Sequence, residues 1–178
     1  MNQITRKEDA MSEWNDLGHF LYGRGFWYAD PIREIKGLTE EQLFWVPDPN
    51  SLCIFWHVGH IAHRERIHIG VFLQGLKGEV IPGQFEVFGP DWRSVEEVRQ
   101  SIDSVQSVLD WVRDVREESH KFIDSLTDDD FHTVSLNEWA DGLTVAHWLF
   151  ITTVHAGVHI GRIQLLRALI EGKHDRAC

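Results

Sequence analysis

The sequence is poor in cysteine, in basic side chains and in long apolar runs. Its 178 residues include only two cysteines, Cys53 and Cys178, so no disulfide framework is expected and a reducing, cytoplasmic compartment is the default. Lys and Arg total 17 against 28 Asp and Glu, a formal net charge of −11. This balance disfavours nucleic acids and anionic membrane surfaces as partners, because both bind through clustered basic side chains. No apolar run of about 18 residues exists and the N-terminus lacks an apolar signal segment, so neither a membrane span nor export is predicted.

Signals for β-strands are nearly absent as well. They are limited to Glu79–Ile81 and Phe85–Phe88, which a Pro-Gly pair interrupts. The other apolar residues recur at the helical period, and at 43% of the chain they can fill one core. We therefore predict an all-α fold in a single domain over residues 1–178, with its core in about 12–171. Four main helices are predicted, over Ser12–Lys36, Ser51–Leu73, Ser94–Leu126 and Thr144–Glu171.

Local signals indicate where several helices begin. Capping boxes at Thr39 and Ser94 predict a short helical turn before helix two and the start of helix three. Asp30 followed by Pro31 fits a restart within the first helical segment. The connection Gln74–Arg93 is rich in Gly and Pro and too long for a tight turn, so it predicts a crossover along a helix bundle.

Eleven histidines are the unusual feature of this acidic chain. His155 and His159 lie one turn apart on the apolar face of helix four, where two imidazoles can share one metal ion. Helix two carries a second group, in which His60 is central and His57 and His63 fall to either side. Three histidine ligands leave open coordination positions, which is typical of catalytic rather than structural metal sites.

Other interpretations of these residues are weighed by the same spacing argument. Any one of the histidines can instead be a hydrogen-bonded core residue. A zincin is excluded because Ala156 stands where its catalytic glutamate is needed. Di-iron proteins place Glu-x-x-His on two helices, and this spacing occurs at Glu65/His68 and Glu117/His120. The helical wheel turns both carboxylates away from the apolar faces, so we expect both to face water.

The phase of the remaining side chains divides them into pocket and core candidates. Trp56 and Trp148 lie close to the histidine faces and are predicted to line a pocket. Cys53 is predicted to be a core cysteine, and His147 is a further pocket candidate on helix four. Five histidines have no partner pattern and are expected to be incidental: His19, His68, His120, His132 and His174.

Several segments resemble the DinB/YfiT-like superfamily. Trp56–Glu65, which reads WHVGHIAHRE, is similar to the family's W-x-x-G-H-x-x-x-x-E motif. Gly142–Val145 and His155–Arg162 are similar to its closing G-x-T-V and H-x-x-x-H-x-G-Q motifs, with Arg162 in place of the frequent glutamine. The resemblance covers about residues 12–171, and the motifs are specific as a set because they occur in the family's order and spacing.

This resemblance implies a fold and a metal site. The fold is a four-helix bundle of up-down-down-up topology, with a long crossover between helices two and three. The site is a divalent metal ion held by His60, His155 and His159. Three imidazoles do not choose between zinc, nickel, iron and manganese. The resemblance also implies a homodimer, and it leaves open what Arg162 does to the pocket.

Known relatives suggest a reaction. They include transferases that use low-molecular-weight thiols such as bacillithiol, mycothiol or glutathione, and a mycothiol-dependent maleylpyruvate isomerase. The resemblance therefore implies a metal-dependent enzyme that transfers a thiol cosubstrate to a small-molecule electrophile. Arg64 and Arg162 would hold a carboxylate, and His57 or His63 would carry a proton. The alternatives are a non-catalytic metal-binding stress or sensor protein and a dimerisation scaffold, although the three candidate ligands weigh against the scaffold.

Overall fold

The computed structural model describes residues 13–23, 30–135, 137 and 141–173. This part of the chain is helical, as predicted, and its β-pairing is limited to one isolated bridge between Val134 and Thr144. Within it, no helix has both the length and the apolar character needed to cross a bilayer. The α-helices are α1 (Glu13–Leu21), α2 (Pro31–Glu34), α3 (Glu40–Leu43), α4 (Ile54–Glu65), α5 (Val95–Ser101), α6 (Val105–Asp124), α7 (Asp128–Phe131) and α8 (Val145–Ile170). A π-helix over Arg66–Leu73 extends α4, and a 3-10 helix covers Gly83–Phe88.

The predicted second helix consists of α4 and the π-helix. It begins after Cys53, whose Sγ accepts a hydrogen bond from the backbone N–H of Trp56 at 3.4 Å, and it ends at Leu73 as predicted. Every residue of α4 except Arg64 is buried, because α6, α8 and the 3-10 helix pack around it. The prediction that this helix is central, made from its nearly continuous apolar surface, is confirmed.

The other long element beside the histidines is α8. It spans Val145–Ile170 and so agrees with the predicted fourth helix. The hydroxyl of Thr144 accepts from the backbone N–H of His147 at 3.3 Å, and the His147 side chain completes this capping box. His147 is exposed, so the expectation that it is a pocket residue is wrong.

The predicted third helix is interrupted. α5 ends at Ser101, and Ile102 is extended, with φ −104° and ψ 147°. Ser104 then caps α6 through a second capping box with Ser107. The apolar spacing continues through the break, so the periodicity of the sequence hides it. The capping box predicted at Ser94 is confirmed, as is the one at Thr39.

Two other local predictions concern the start of α2 and the secondary structure of the crossover. Asp30 accepts a hydrogen bond from the backbone N–H of Ile32 at 2.9 Å, and α2 begins at Pro31, so the predicted restart is confirmed. Residues 24–29, like Ser12, His174 and Cys178, lie outside the described residues. The strand-like run Phe85–Phe88 belongs to the 3-10 helix instead.

The crossover is packed closely against α4 at Gly59. A Cβ placed on Gly59 would lie 2.5 Å from Cγ of Phe88, a distance that no side chain can occupy. Phe88 is fully buried and makes an edge contact with Phe55, at 6.1 Å between ring centroids. The absence of a side chain at Gly59 therefore lets the 3-10 helix approach α4, and this approach brings the backbone of Phe88 to the histidines.

Replacing this glycine tests the packing. We expect Gly59→Ala to destabilise the protein by about 1–3 kcal/mol, because the added methyl group must displace a buried aromatic ring. Gly157→Ala is the matched control on α8, since a Cβ there would meet nothing within 4 Å. The control is expected to gain about 0.5–1 kcal/mol from helix propensity. Urea unfolding measures both, and equal stabilities of the two variants would contradict this account.

Candidate metal centre

Three histidines from α4 and α8 meet inside the protein. His60 lies on α4, and His155 and His159 lie on α8. One nitrogen from each ring can be chosen so that all three lie within 4.8 Å of one another. His60 and His159 are buried, and His155 is half-buried. The three residues singled out in the sequence therefore form a cluster that could hold one metal ion.

The backbone of the crossover orients His60. Its Nδ1 lies 2.7 Å from the carbonyl oxygen of Phe88 and 3.2 Å from that of Gly89. A carbonyl oxygen only accepts, so Nδ1 carries the proton and donates it. The lone pair of Nε2 is then free, which is the arrangement found in metal-bound histidines. The ring of Trp56 stacks on His60 at 4.4 Å between centroids and supports this orientation.

His57 contacts one of the three histidines directly. Its Nδ1 lies 2.9 Å from Nδ1 of His159, and its side chain is buried. One of the two nitrogens must donate to the other. If His159 donates, its Nε2 is free to bind a metal, as in His60. The contact therefore suits His57 to a role in orienting His159.

Burial keeps these imidazoles neutral. Desolvation is the largest cause that lowers the pKa of His57 to about 3, of His60 to about 4 and of His159 to about 3. It also lowers the pKa of His155, to which the positive charges of Arg64 and Arg162 contribute further. At neutral pH the cluster therefore offers uncharged imidazoles, the protonation state that binds metal ions.

Two arginines lie near the cluster without a carboxylate partner. Arg64 on α4 is half-buried, and its NH2 group lies 3.2 Å from Nε2 of His68. Arg162 on α8 is exposed. Among the described residues neither arginine forms an ion pair. Burial is the largest cause that lowers the pKa of the cluster histidines, and the charges of the two arginines lower it further. Two arginine charges therefore lie near the cluster in an otherwise acidic protein.

His63 lies beside His60 on α4. It is 4% exposed, and among the described residues neither ring nitrogen has a partner within hydrogen-bond geometry. Its ring is nearly parallel to that of His60, with 6.4 Å between centroids, and its Nε2 is 3.5 Å from a carboxylate oxygen of Glu86. Desolvation lowers its pKa, and the nearby carboxylate opposes this shift. His63 is therefore a buried polar group next to the metal candidate, and its polar contact is the long one with Glu86.

The structure also places His68 in this region, although the sequence suggested that it is incidental. His68 is buried, and its ring lies 6.2 Å from that of His155 and 5.0 Å from that of Trp148. The prediction is wrong because His68 belongs to the π-helix, which turns through a smaller angle per residue than an α-helix. The sequence shows this histidine, but an α-helical wheel places its side chain at the wrong angle around the helix axis.

Two more histidines expected to be incidental are paired elsewhere. Nδ1 of His19 lies 2.8 Å from Nδ1 of His120, and Nε2 of His19 lies 2.6 Å from a carboxylate oxygen of Asp124. Both rings are buried between α1 and α6. His132 is exposed, at the edge of Trp14. His19 and His120 pair between two helices that are far apart in the sequence. The periodicity of a single helix does not reveal such a contact.

Glu65 corrects the expectation that its carboxylate faces water. It is 2% exposed, and its two oxygens lie 2.8 Å from a nitrogen of Arg116 and 2.6 Å from the hydroxyl of Ser119. The wheel correctly turns Glu65 away from His60, but that side of α4 faces α6 rather than solvent. Glu117 is exposed as expected. Within the described residues, the group of His, Cys, Asp or Glu close enough to hold a metal is the three-histidine cluster.

Comparisons with known proteins agree with this arrangement. The family model described as DinB superfamily matches residues 32–163. A crystal structure of a conserved protein from Enterococcus faecalis is similar in fold, with a TM-score of 0.70 at 18% sequence identity. The similarity covers 92% of this chain and 100% of that one. No curated protein matches the chain.

Proposed function

The chain belongs to the DinB superfamily, and we propose that it is a metal-dependent enzyme that transfers a low-molecular-weight thiol to a small electrophile. His60, His155 and His159 are the proposed ligands of a divalent cation. The observation that carries the proposal is the preset state of His60, whose Nδ1 donates to the carbonyl oxygen of Phe88 and leaves Nε2 free. A structural histidine needs no free nitrogen, whereas a ligand does.

The donor set fits a catalytic metal ion. Three neutral imidazoles suit zinc, nickel, iron or manganese and leave coordination positions open. A divalent cation in such a site lowers the pKa of a bound thiol, so that the thiolate is available at neutral pH. The sulfur then forms a bond to the electrophilic carbon, and the leaving group departs with the electron pair of the broken bond.

The surrounding side chains have separate proposed roles. His63 is the candidate to take the thiol proton, because it lies beside His60 and the carboxylate of Glu86, 3.5 Å from its Nε2, favours its protonated form. His57 is better suited to orient His159, which it contacts at 2.9 Å. Arg64 and Arg162 are candidates to hold an anionic group of the thiol or the electrophile. Trp56 and Trp148 are the candidate apolar walls of the pocket.

Metal analysis tests the ligands. We expect protein purified without a nickel column to contain close to one equivalent of a divalent metal. The double variant His155→Ala plus His159→Ala is expected to contain little, because one imidazole alone does not retain the ion. His132→Ala, an exposed histidine away from the cluster, is the matched control. Unchanged metal content in the double variant, measured by plasma mass spectrometry, would eliminate this ligand set.

Conjugation assays test the reaction. Metal-loaded protein is expected to join bacillithiol, mycothiol or glutathione to monobromobimane or chlorodinitrobenzene, with loss of the halide. The rate is expected to fall roughly a hundredfold after chelation of the metal, because the thiol then keeps its ordinary pKa. If no thiol in this set reacts in a metal-dependent way, the transferase is rejected. A non-catalytic metal-binding stress or sensor protein then becomes the better interpretation.

We also propose the family topology and a homodimer. The connection from the π-helix to α5 suits the long crossover of an up-down-down-up bundle, and a crystal structure tests that path. For the dimer, support comes from large apolar side chains on the outer face of α8, where Phe150 is 60% and Leu165 62% exposed. The same face carries Val154, Val158 and Leu169. A second copy would remove this apolar surface from water.

Sedimentation of variants tests the dimer. Phe150→Glu combined with Leu165→Glu is expected to shift the protein from dimer to monomer, because each copy would bring two charges into the interface. Leu17→Glu, at an exposed apolar position on α1, is the matched control and is expected to stay dimeric. A wild-type protein that sediments as a monomer at micromolar concentration would refute the homodimer.

A further inference from the structure

We infer that Arg64 binds a carboxylate on the thiol substrate, and that His68 and Thr152 hold Arg64 in position to do so. This inference rests on the proposed function, which it extends by naming the substrate class as thiols with a carboxylate near the sulfur. It also separates Arg64 from Arg162 and gives two residues beside the cluster a positioning role.

Arg64 differs from the arginines that pair with a carboxylate. It is half-buried, yet it forms no ion pair within the part of the chain that the structure describes. Burial lowers the pKa of its guanidinium, which means that the charged form is poorly solvated. Arg162 also forms no ion pair with a described residue, but it is exposed and water solvates it. Carboxylates pair, by contrast, with Arg66, Arg93, Arg99, Arg113, Arg116 and Arg167.

A partly buried cation without a counter-ion is unfavourable unless another group compensates. Arg64 contacts His68 at 3.2 Å, and the ring centroid of His68 lies 6.2 Å from that of His155 in the cluster. An anion that reaches the metal candidate can therefore reach Arg64 as well. Glu86, the carboxylate nearest to His63, does not pair with Arg64.

A chain of hydrogen bonds fixes the position of Arg64. The hydroxyl of Thr152 donates to the carbonyl oxygen of Trp148 at 2.8 Å. Its oxygen is then left to accept from Nδ1 of His68 at 2.9 Å. With its proton on Nδ1, His68 can only accept at Nε2, and the NH2 group of Arg64 donates to it at 3.2 Å.

Every donor in this chain has one acceptor, so the chain has one consistent arrangement. It uses a single N–H of Arg64 and leaves the other four guanidinium donors for a ligand. A carboxylate matches such a planar donor pair better than a neutral hydroxyl does. His68 is thereby a positioning residue, and its pKa, which burial lowers to about 3, keeps it neutral and able to accept.

Two thiols of equal length test the inference. Mercaptoacetate ends in a carboxylate where 2-mercaptoethanol ends in a hydroxyl. The binding of each thiol is measured from the change that it causes in the visible spectrum of the cobalt-substituted protein. We expect wild-type protein to bind mercaptoacetate about tenfold more tightly or better. Arg64→Gln is expected to bring the ratio of the two affinities close to one. Arg64→Lys should retain part of the preference, because it keeps the charge but loses the paired donors.

The positioning role is tested with two neighbouring threonines. Thr152→Val keeps the shape of the side chain and removes the acceptor for His68, so the preference for mercaptoacetate is expected to fall several-fold. Thr153→Val is the matched control, because its hydroxyl donates to the carbonyl oxygen of Leu149 at 3.0 Å and takes no part in the chain. Equal ratios in the two variants would show that Thr152 does not act through His68.

The outcomes separate this inference from the proposed function. If both thiols bind equally in wild-type protein, the carboxylate site is overturned while thiol binding stands. If neither thiol binds, the proposed thiol transferase loses its support. Whether Arg64 binds a carboxylate is then tested by adding acetate to the metal-free protein and recording nuclear magnetic resonance spectra. An acetate-dependent shift that Arg64→Gln abolishes supports the anion site, and the absence of any shift overturns it.

Discussion

The structure depends on one constraint: α4, a helix that carries three histidines and a glutamate, is buried at every residue except Arg64. Polar groups inside a protein must find partners there, and α4 finds them on three different elements. His60 donates to the crossover, His57 contacts His159 on α8, and Glu65 pairs with Arg116 on α6. The polar residues of α4 therefore fix how its neighbours are arranged around it.

The crossover has a particular part in this arrangement. Gly59 allows Phe88 to approach the backbone of α4, and the carbonyl group of Phe88 then accepts from His60, the next residue of the helix. A packing requirement and a chemical requirement are thus satisfied by the same segment. This coupling explains physically why a glycine and a histidine stand side by side at this point of the chain.

The parts of the site that depend on α-helical spacing within one helix could be predicted from the sequence. His155 and His159 are one turn apart, and the capping box at Thr144 sets their helix. His68 was missed because the π-helix changes its phase, a change that leaves no periodic signal. Glu65 was predicted to face water because a helical wheel gives the direction of a side chain but does not show which element packs on that side. The break at Ile102 was hidden because the apolar spacing continues across it.

Burial acts in opposite ways on the two kinds of cation near the cluster. It makes the histidines neutral, since an imidazole can release its proton at little cost near neutral pH. It cannot neutralise Arg64 in this way, because a guanidinium keeps its proton even when its pKa falls. Without a metal, the positive charge near the cluster therefore comes from Arg64 and Arg162. A divalent cation would add two positive charges to a region in which neither arginine forms an ion pair with another described residue. Charge balance then favours an anionic ligand in the proposed site, and a thiolate with a carboxylate supplies one negative charge to the metal and one to Arg64.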